Sequence, residues 1–151
     1  MPEKSDILLE TLVKQDEILC ELLSVTLKQR EALREGRMPD LQDLMSEMRH
    51  ISVRAQAIET RRVRIASDVA AEIGCEPVVS EIIRALSQDE AGPMDEASRK
   101  LVSTVESLKI EMSILDRLMD EAKNLNEVLI SEWRKMSSNT PGSSTGFDTR
   151  I

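Results

Sequence analysis

Apolar residues recur every three or four positions along most of this chain, in segments far longer than a strand. The first segment, residues 5–35, carries such a row at Leu8, Leu12, Gln15, Leu19, Leu22, Thr26, Gln29 and Leu33. This spacing is typical of an α-helix that packs through a heptad seam. The 151 residues include one Trp, one Phe and no Tyr, whereas sheet proteins draw heavily on aromatic residues. The sequence therefore predicts an all-α fold.

Glycine and proline divide the chain into four predicted helices. The breaks are Gly36 with Pro39, Gly74 with Pro77, Gly92 with Pro93, and Pro141 with Gly142. The second helix is predicted to begin at Asp40, which is a candidate N-cap, and to end near Gly74. A loop as short as 36–39 makes the first two helices a long antiparallel hairpin. Residues 76–88 predict a short third helix that caps one end of it.

The second helix has a nearly continuous apolar seam. Its members are Leu41, Leu44, Met48, Ile51, Ala55, Ile58, Arg62, Ile65 and Val69. The first helix adds a second stripe, which predicts a face wide enough for two neighbours. That stripe is Leu9, Val13, Cys20, Leu23 and Leu27.

The last helix, predicted to start at Asp95, has the most regular seam of the chain. The seam is Leu101, Val105, Leu108, Met112, Leu115, Met119, Ala122, Asn126, Leu129, Trp133 and Met136. A second row lies beside it and would not be covered by one neighbouring helix: Ile110, Ile114, Leu118, Leu125 and Val128. We predict one helical, coiled-coil-like domain over residues 1–136. Residues 137–151, rich in Ser, Thr and Gly, predict a disordered tail.

Charge and cysteine content narrow the classes of partner. A net charge of −8 disfavours binding to nucleic acid and to anionic membranes. No apolar run approaches the roughly 20 residues of a membrane span, so no membrane insertion is expected. Cys20 and Cys75 are isolated thiols, which suits packing residues in a reducing compartment, and we expect a cytoplasmic protein.

Motifs for chemistry are weak. Glu47 and His50 form a Glu-x-x-His pair, but a bundle metal site needs a second such pair, and His50 is the only histidine in the chain. Residues 49–64 contain five arginines without an interleaved aromatic, and we expect these to form salt bridges with acidic neighbouring helices. We predict no metal, no cofactor and no enzymatic activity.

The remaining candidate sites concern interaction. Asn126 at a seam position can fix helix register, or it can be a satisfied core residue. Trp133 can belong to the core, or it can anchor a partner.

Several of these residues resemble a known family. They are Arg30-Glu31-Ala32-Leu33 leading into Gly36, then Leu41 and Leu44, then Ile58-Glu59 and Arg61-Arg62, and finally the segment from Asn124 to Leu129. Their order and spacing are similar to those of the FlgN family of flagellar export chaperones. The resemblance covers most of residues 5–136.

The resemblance implies a cytoplasmic chaperone that binds C-terminal amphipathic helices of hook-associated proteins at the hook–filament junction. Such a chaperone prevents premature assembly and delivers its substrates to the flagellar type III export gate. We expect the substrate helix to dock into a groove beside the last helix. The residues expected to bind it are Ile114, Leu118, Leu125, Asn126, Val128, Leu129 and Trp133.

Three alternatives remain open. The second row can pair with a second copy, which would give a homodimer or a self-associating structural coiled coil. A metal-dependent bundle enzyme would require bound metal. A chaperone of a related type III secretion system would have a similar composition.

Overall fold

The computed structural model describes residues 3–138, and all regular secondary structure in that range is helical. The helices are α1 (Lys4–Glu35), α2 (Met38–Ile73), α3 (Val79–Ala85) and α4 (Gln88–Ser138). The predicted all-α fold is confirmed, with a long hairpin, a short third helix and a long fourth helix. Ser137 and Ser138 end α4, and the rest of the predicted tail lies outside the described residues.

The chain divides into two compact units, Met1–Leu115 and Asp116–Ile151. The first unit contains α1, α2, α3 and the first part of α4, and residues 116–138 of α4 are the described part of the second. The single domain over residues 1–136 stays a prediction.

A tight turn makes α1 and α2 antiparallel. Gly36 has φ +70°, a conformation that a residue with a Cβ rarely adopts, and the N–H of Arg37 donates to the Ala32 carbonyl at 2.9 Å. The predicted N-cap was wrong: Arg37 is the N-cap of α2, and Asp40 lies in the first turn. Pro39 is tolerated there because the first N–H groups of a helix have no helical partner.

Apolar side chains from all four helices meet at the end of the hairpin far from this turn. Ile82 of α3 and Met94 of α4 are fully buried there against α1 and α2. The buried members of the cluster are Leu8, Leu12, Ile65, Ala66, Val69, Ala70, Ile82 and Met94. The prediction that the third helix caps one end of the hairpin is confirmed.

A second cluster joins the middle of the hairpin to α4. Its buried residues are Ile18, Leu22, Val25, Ile51, Ile58 and Leu108. The second stripe predicted for α1 was partly wrong, because Val13, Cys20 and Leu27 are exposed. The buried column is instead Thr11, Ile18, Val25 and Ala32, and its threonine and alanine do not stand out in an apolar pattern.

The predicted break at Gly92-Pro93 was also wrong. The fourth helix begins at Gln88 and runs through Pro93, while the third is shorter than predicted. Pro93 lies just beyond the first turn, where proline removes only one helical hydrogen bond. The fully buried Met94 beside it holds this segment against the hairpin.

Several polar side chains are buried within the hairpin and against α4. Asp16 is 4% exposed, and its carboxylate accepts a hydrogen bond from the hydroxyl of Thr104 in α4. Gln29 is 2% exposed, and its Oε1 has no hydrogen-bond partner among the described residues. Polar groups at such positions favour one helix register and lower the free energy of unfolding.

Candidate functional site

The residues predicted to bind a partner helix lie along α4. Ile114 belongs to the first unit and is half-buried. The other six lie in the second unit, where Leu118 is half-buried and the rest are exposed: Leu125, Asn126, Val128, Leu129 and Trp133.

Three aliphatic side chains form the exposed part of this surface. Leu125, Val128 and Leu129 are 60%, 57% and 58% exposed. Val128 and Leu129 follow Leu125 by three and four positions, so all three lie on one face of the helix. Leu118 lies seven positions before Leu125 and continues the same face. We call these four residues the α4 row.

The α4 row is exposed because of what surrounds it in its own unit. Residues 116–138, the described part of that unit, are one helical segment. Leu125, Val128 and Leu129 therefore have no second helix within this segment to pack against. Within this segment the row is one face of a single helix.

The seam of α4 has different surroundings in its two parts. In the first unit Leu108 and Leu115 are buried, as the heptad pattern predicts. In the second unit Ala122 and Asn126 are exposed, so Asn126 is not a core residue of the described structure. Trp133 is 38% exposed and lies four positions after Leu129.

Carboxylates lie on the same face of the helix as the α4 row. Glu121 precedes Leu125 by four positions, and Glu132 follows Val128 by four. Both side chains are exposed, and Glu132 forms an ion pair of 3.5 Å with Lys135. The face therefore combines aliphatic side chains with the Glu121 carboxylate and the Glu132–Lys135 ion pair.

The arginines of α2 behave differently from what we predicted. Arg54 forms the expected ion pair with a neighbouring helix, at 3.0 Å from Glu21 of α1. Arg62 instead donates two hydrogen bonds to Glu59 of its own helix. The other arginines of the run form no ion pair with a described residue: Arg49, Arg61 and Arg64. Sequence spacing showed the run but not which members would find partners.

Glu59 sits at the centre of a polar contact between α1 and α2. Its hydrogen bonds with Arg62 lower its pKa, partial burial opposes this, and a hydrogen bond from Gln15 of α1 adds to the lowering. The same contact raises the pKa of Arg62. This arrangement fixes a charged pair against the hairpin core.

The side chains that could take part in metal binding or catalysis are exposed or lie far from one another. Glu47 and His50 both point to solvent on α2. Among residues 3–138, no three His, Cys, Asp or Glu side chains are grouped in a way that could hold a metal ion. Within the same residues, no helix combines the length and apolar character needed to cross a membrane.

Comparison with known proteins identifies the family. The profile of the family described as "FlgN protein" matches residues 1–141, which is nearly the whole chain. No curated protein and no solved structure gives a significant match. The chain therefore belongs to the FlgN family, whose members are flagellar export chaperones.

Proposed function

We propose that this chain is a cytoplasmic, non-enzymatic chaperone of hook-associated flagellar proteins, and that the α4 row binds their C-terminal amphipathic helices. The observation that supports this is the exposure of Leu125, Val128 and Leu129 on one face of α4. Bound in this way, the substrate helices are kept from premature assembly and delivered to the type III export gate.

The chemistry of the row suits an amphipathic helix. Such a helix covers aliphatic side chains with its own apolar stripe, with anchors spaced by three and four residues. Full burial of a Leu or Val side chain contributes about 1.5–3 kcal/mol. A little over half of each of these three side chains is still exposed, so together they offer roughly 3–5 kcal/mol before the costs of association. The row alone therefore supports only moderate affinity, and other contacts must add to it.

Moderate affinity fits release at the export gate. A substrate segment that is disordered before binding loses conformational entropy when it becomes a helix on the chaperone. This cost weakens binding without removing its specificity. Capture and release of this kind require neither a cofactor nor a covalent step.

The charges on this face add a requirement for the substrate. Glu121 favours a partner helix that has Lys or Arg beside its apolar stripe, whereas Glu132 is already paired with Lys135. If two copies paired in parallel through this row, their Glu121 carboxylates would approach each other. A complex with substrate is therefore favoured over that homodimer.

The test compares two double variants of α4. Leu125→Asp with Leu129→Asp places two charges in the row, and Asn124→Asp with Ser131→Asp places two charges on another face of the same segment. Titration of each protein with a purified C-terminal segment of a hook-associated protein measures affinity by calorimetry. We expect the first variant to bind at least about a hundredfold more weakly, because each substitution removes apolar contact and places a charge that the complex would have to bury. The control is expected to bind as the wild type does.

Circular dichroism checks that both variants keep the helical content of the wild type. Equal binding by the two variants would show that the row is not the substrate site. Sedimentation analysis distinguishes the alternative: a stable homo-oligomer that dissociates on Leu125→Asp and binds no substrate would identify a self-associating structural protein.

A further inference from the structure

A second surface lies on the hairpin of the first unit, in a groove between α1 and α2. The groove has a cavity volume of about 340 Å³. Four residues of each helix line it: Glu10, Thr11, Lys14 and Ile18, and Arg54, Ala57, Ile58 and Arg61. We call this surface the hairpin groove.

The floor of the hairpin groove is apolar. Ile18 and Ile58 belong to the hairpin core and are 6% and 9% exposed, so only their edges reach the groove. Ala57 lies exposed between Arg54 and Arg61, and its small side chain leaves the space open. Val53, on the same side of α2, is 70% exposed, which is high for a valine.

The walls of the groove are mostly cationic. Lys14, Arg54 and Arg61 line it, and Glu10 is the carboxylate among its lining residues. Arg54 is paired with Glu21, whereas Lys14 and Arg61 form no ion pair with any described residue. This concentration of positive charge occurs in a chain with a net charge of −8.

The arginines of α2 at this groove are spaced so that they lie on one face of the helix. Arg61 follows Arg54 by seven positions, Arg64 follows Arg61 by three, and Ala57 lies between the first two. A helix that packs alongside α2 would meet these groups with carboxylates of similar spacing, and it would cover Ala57 and Val53 with apolar side chains. Charge and shape therefore favour an acidic amphipathic helix.

A polyanion is a poorer fit than a protein helix. Nucleic acid would approach a chain with eight net negative charges, and no aromatic side chain lies among residues 49–64 to stack on a base. The apolar floor would also stay uncovered beneath a phosphate backbone. Arg61 and Arg64 form no ion pair with an acidic residue of a neighbouring helix in the described structure. Both cations are therefore available to a partner.

We propose that the hairpin groove is a docking site for an acidic amphipathic helix of a protein partner. This site lies in a different unit from the α4 row and does not depend on the proposed function. Occupation of the groove neutralises Arg61 and covers Ala57.

The test uses a synthetic fluorescent peptide that forms a helix with glutamates and leucines along one face. Its binding to the full chain is measured by anisotropy. Arg61→Glu and Ala57→Glu each place negative charge in the groove, and we expect at least about tenfold weaker binding. Two matched controls lie on another face of α2: Arg49→Glu changes net charge as much as Arg61→Glu, and Gln56→Glu as much as Ala57→Glu. Both controls are expected to stay within about twofold of the wild type.

A serine peptide, single-stranded DNA and a measurement of self-association distinguish the possible occupants of the groove. A peptide with serine in place of leucine is expected to bind much more weakly, because it cannot cover the floor. Equal binding of the serine peptide, equal loss in the controls, or no binding of the leucine peptide would overturn the proposal. Tighter binding of single-stranded DNA that is lost in Arg61→Glu would instead identify a nucleic-acid site. Self-association that is lost in Arg61→Glu would identify a second copy as the occupant.

Discussion

The two units of the chain share the same apolar spacing, but its residues are buried in the first unit and exposed in the second. In residues 3–115 the seams are covered, so Leu12 and Leu115 are 1% and 4% exposed. In residues 116–138 the spacing continues, yet Leu125 is 60% exposed. A heptad pattern therefore identifies a helix and its apolar face, but it does not say whether that face is covered by the chain itself. In a chaperone, the uncovered part of the pattern is where a partner is expected.

The two regions also differ in how polar residues are used. The hairpin buries Asp16 and Gln29 within its contacts, at a cost in stability that favours one arrangement of the helices. In the second unit the polar residue of the seam, Asn126, is exposed. The first unit thus determines the stability of the fold and the arrangement of its helices. The second unit leaves its apolar surface available.

The largest expected difference between the regions is in core truncation. Leu12→Ala removes a fully buried side chain, and we expect it to lower the free energy of unfolding by about 2–5 kcal/mol. Leu125→Ala removes an exposed one, and we expect a change within about 0.5 kcal/mol. Urea denaturation followed by circular dichroism measures both. Similar losses of unfolding free energy in the two variants would show that the two regions do not differ in how their apolar residues are packed.

A smaller effect is expected where α4 meets α1. Thr104→Val keeps the shape of the side chain but leaves the buried carboxylate of Asp16 without this hydrogen bond, so we expect a loss of about 1–3 kcal/mol. Thr60→Val is the control, because the hydroxyl of Thr60 is exposed and bonds to the Gln56 carbonyl of its own helix. Equal stability of Thr104→Val and wild type in urea would show that this contact does not hold α4.

A stabilising substitution should exist in the same region. Gln29→Leu replaces a buried side chain whose Oε1 has no partner among the described residues, and we expect a gain of about 1 kcal/mol. Thermal denaturation should show a higher midpoint for this variant. A lower midpoint would mean that the glutamine makes a favourable contribution to the hairpin.

The smallest effect concerns pH. The folded-state pKa of Glu59 lies below its ordinary value of 4.5, so its contribution is present above that pH and is lost as pH falls below it. Glu59→Gln should lower the free energy of unfolding by less than about 1 kcal/mol at neutral pH, because the pair is partly exposed. The difference in free energy of unfolding between this variant and the wild type should shrink as the pH falls below 4.5. Glu106→Gln, which changes an exposed glutamate of α4, is the control for the change in net charge.

Most of the fold could be predicted from local signals. Gly36 and Gly74 end their helices with positive φ, as glycine after an apolar seam indicates. The start of α4 could not be predicted in this way, because the packing of Met94 against the hairpin outweighs the local effect of Pro93. The column through Thr11 and Ala32 was missed because small and polar residues can be buried where two helices approach closely.

The candidate sites were predictable to different degrees. Three members of the α4 row were visible in the second row beside the seam, Leu118, Leu125 and Val128, and Leu129 was visible in the seam itself. Their exposure depends on what lies around residues 116–138. The hairpin groove required the structure, since it combines Lys14 of one helix with Arg61 of another and depends on which arginines find partners. Charge along one segment does not determine these pairings, which arise when the two helices come together.

Hydrogen exchange tests the central claim most directly. The full chain is measured alone and with a purified C-terminal segment of a hook-associated protein. The account predicts that exchange slows in residues 116–138 on binding and changes little in residues 38–64. Slower exchange in the hairpin, with residues 116–138 unchanged, would contradict the assignment of the α4 row as the substrate site.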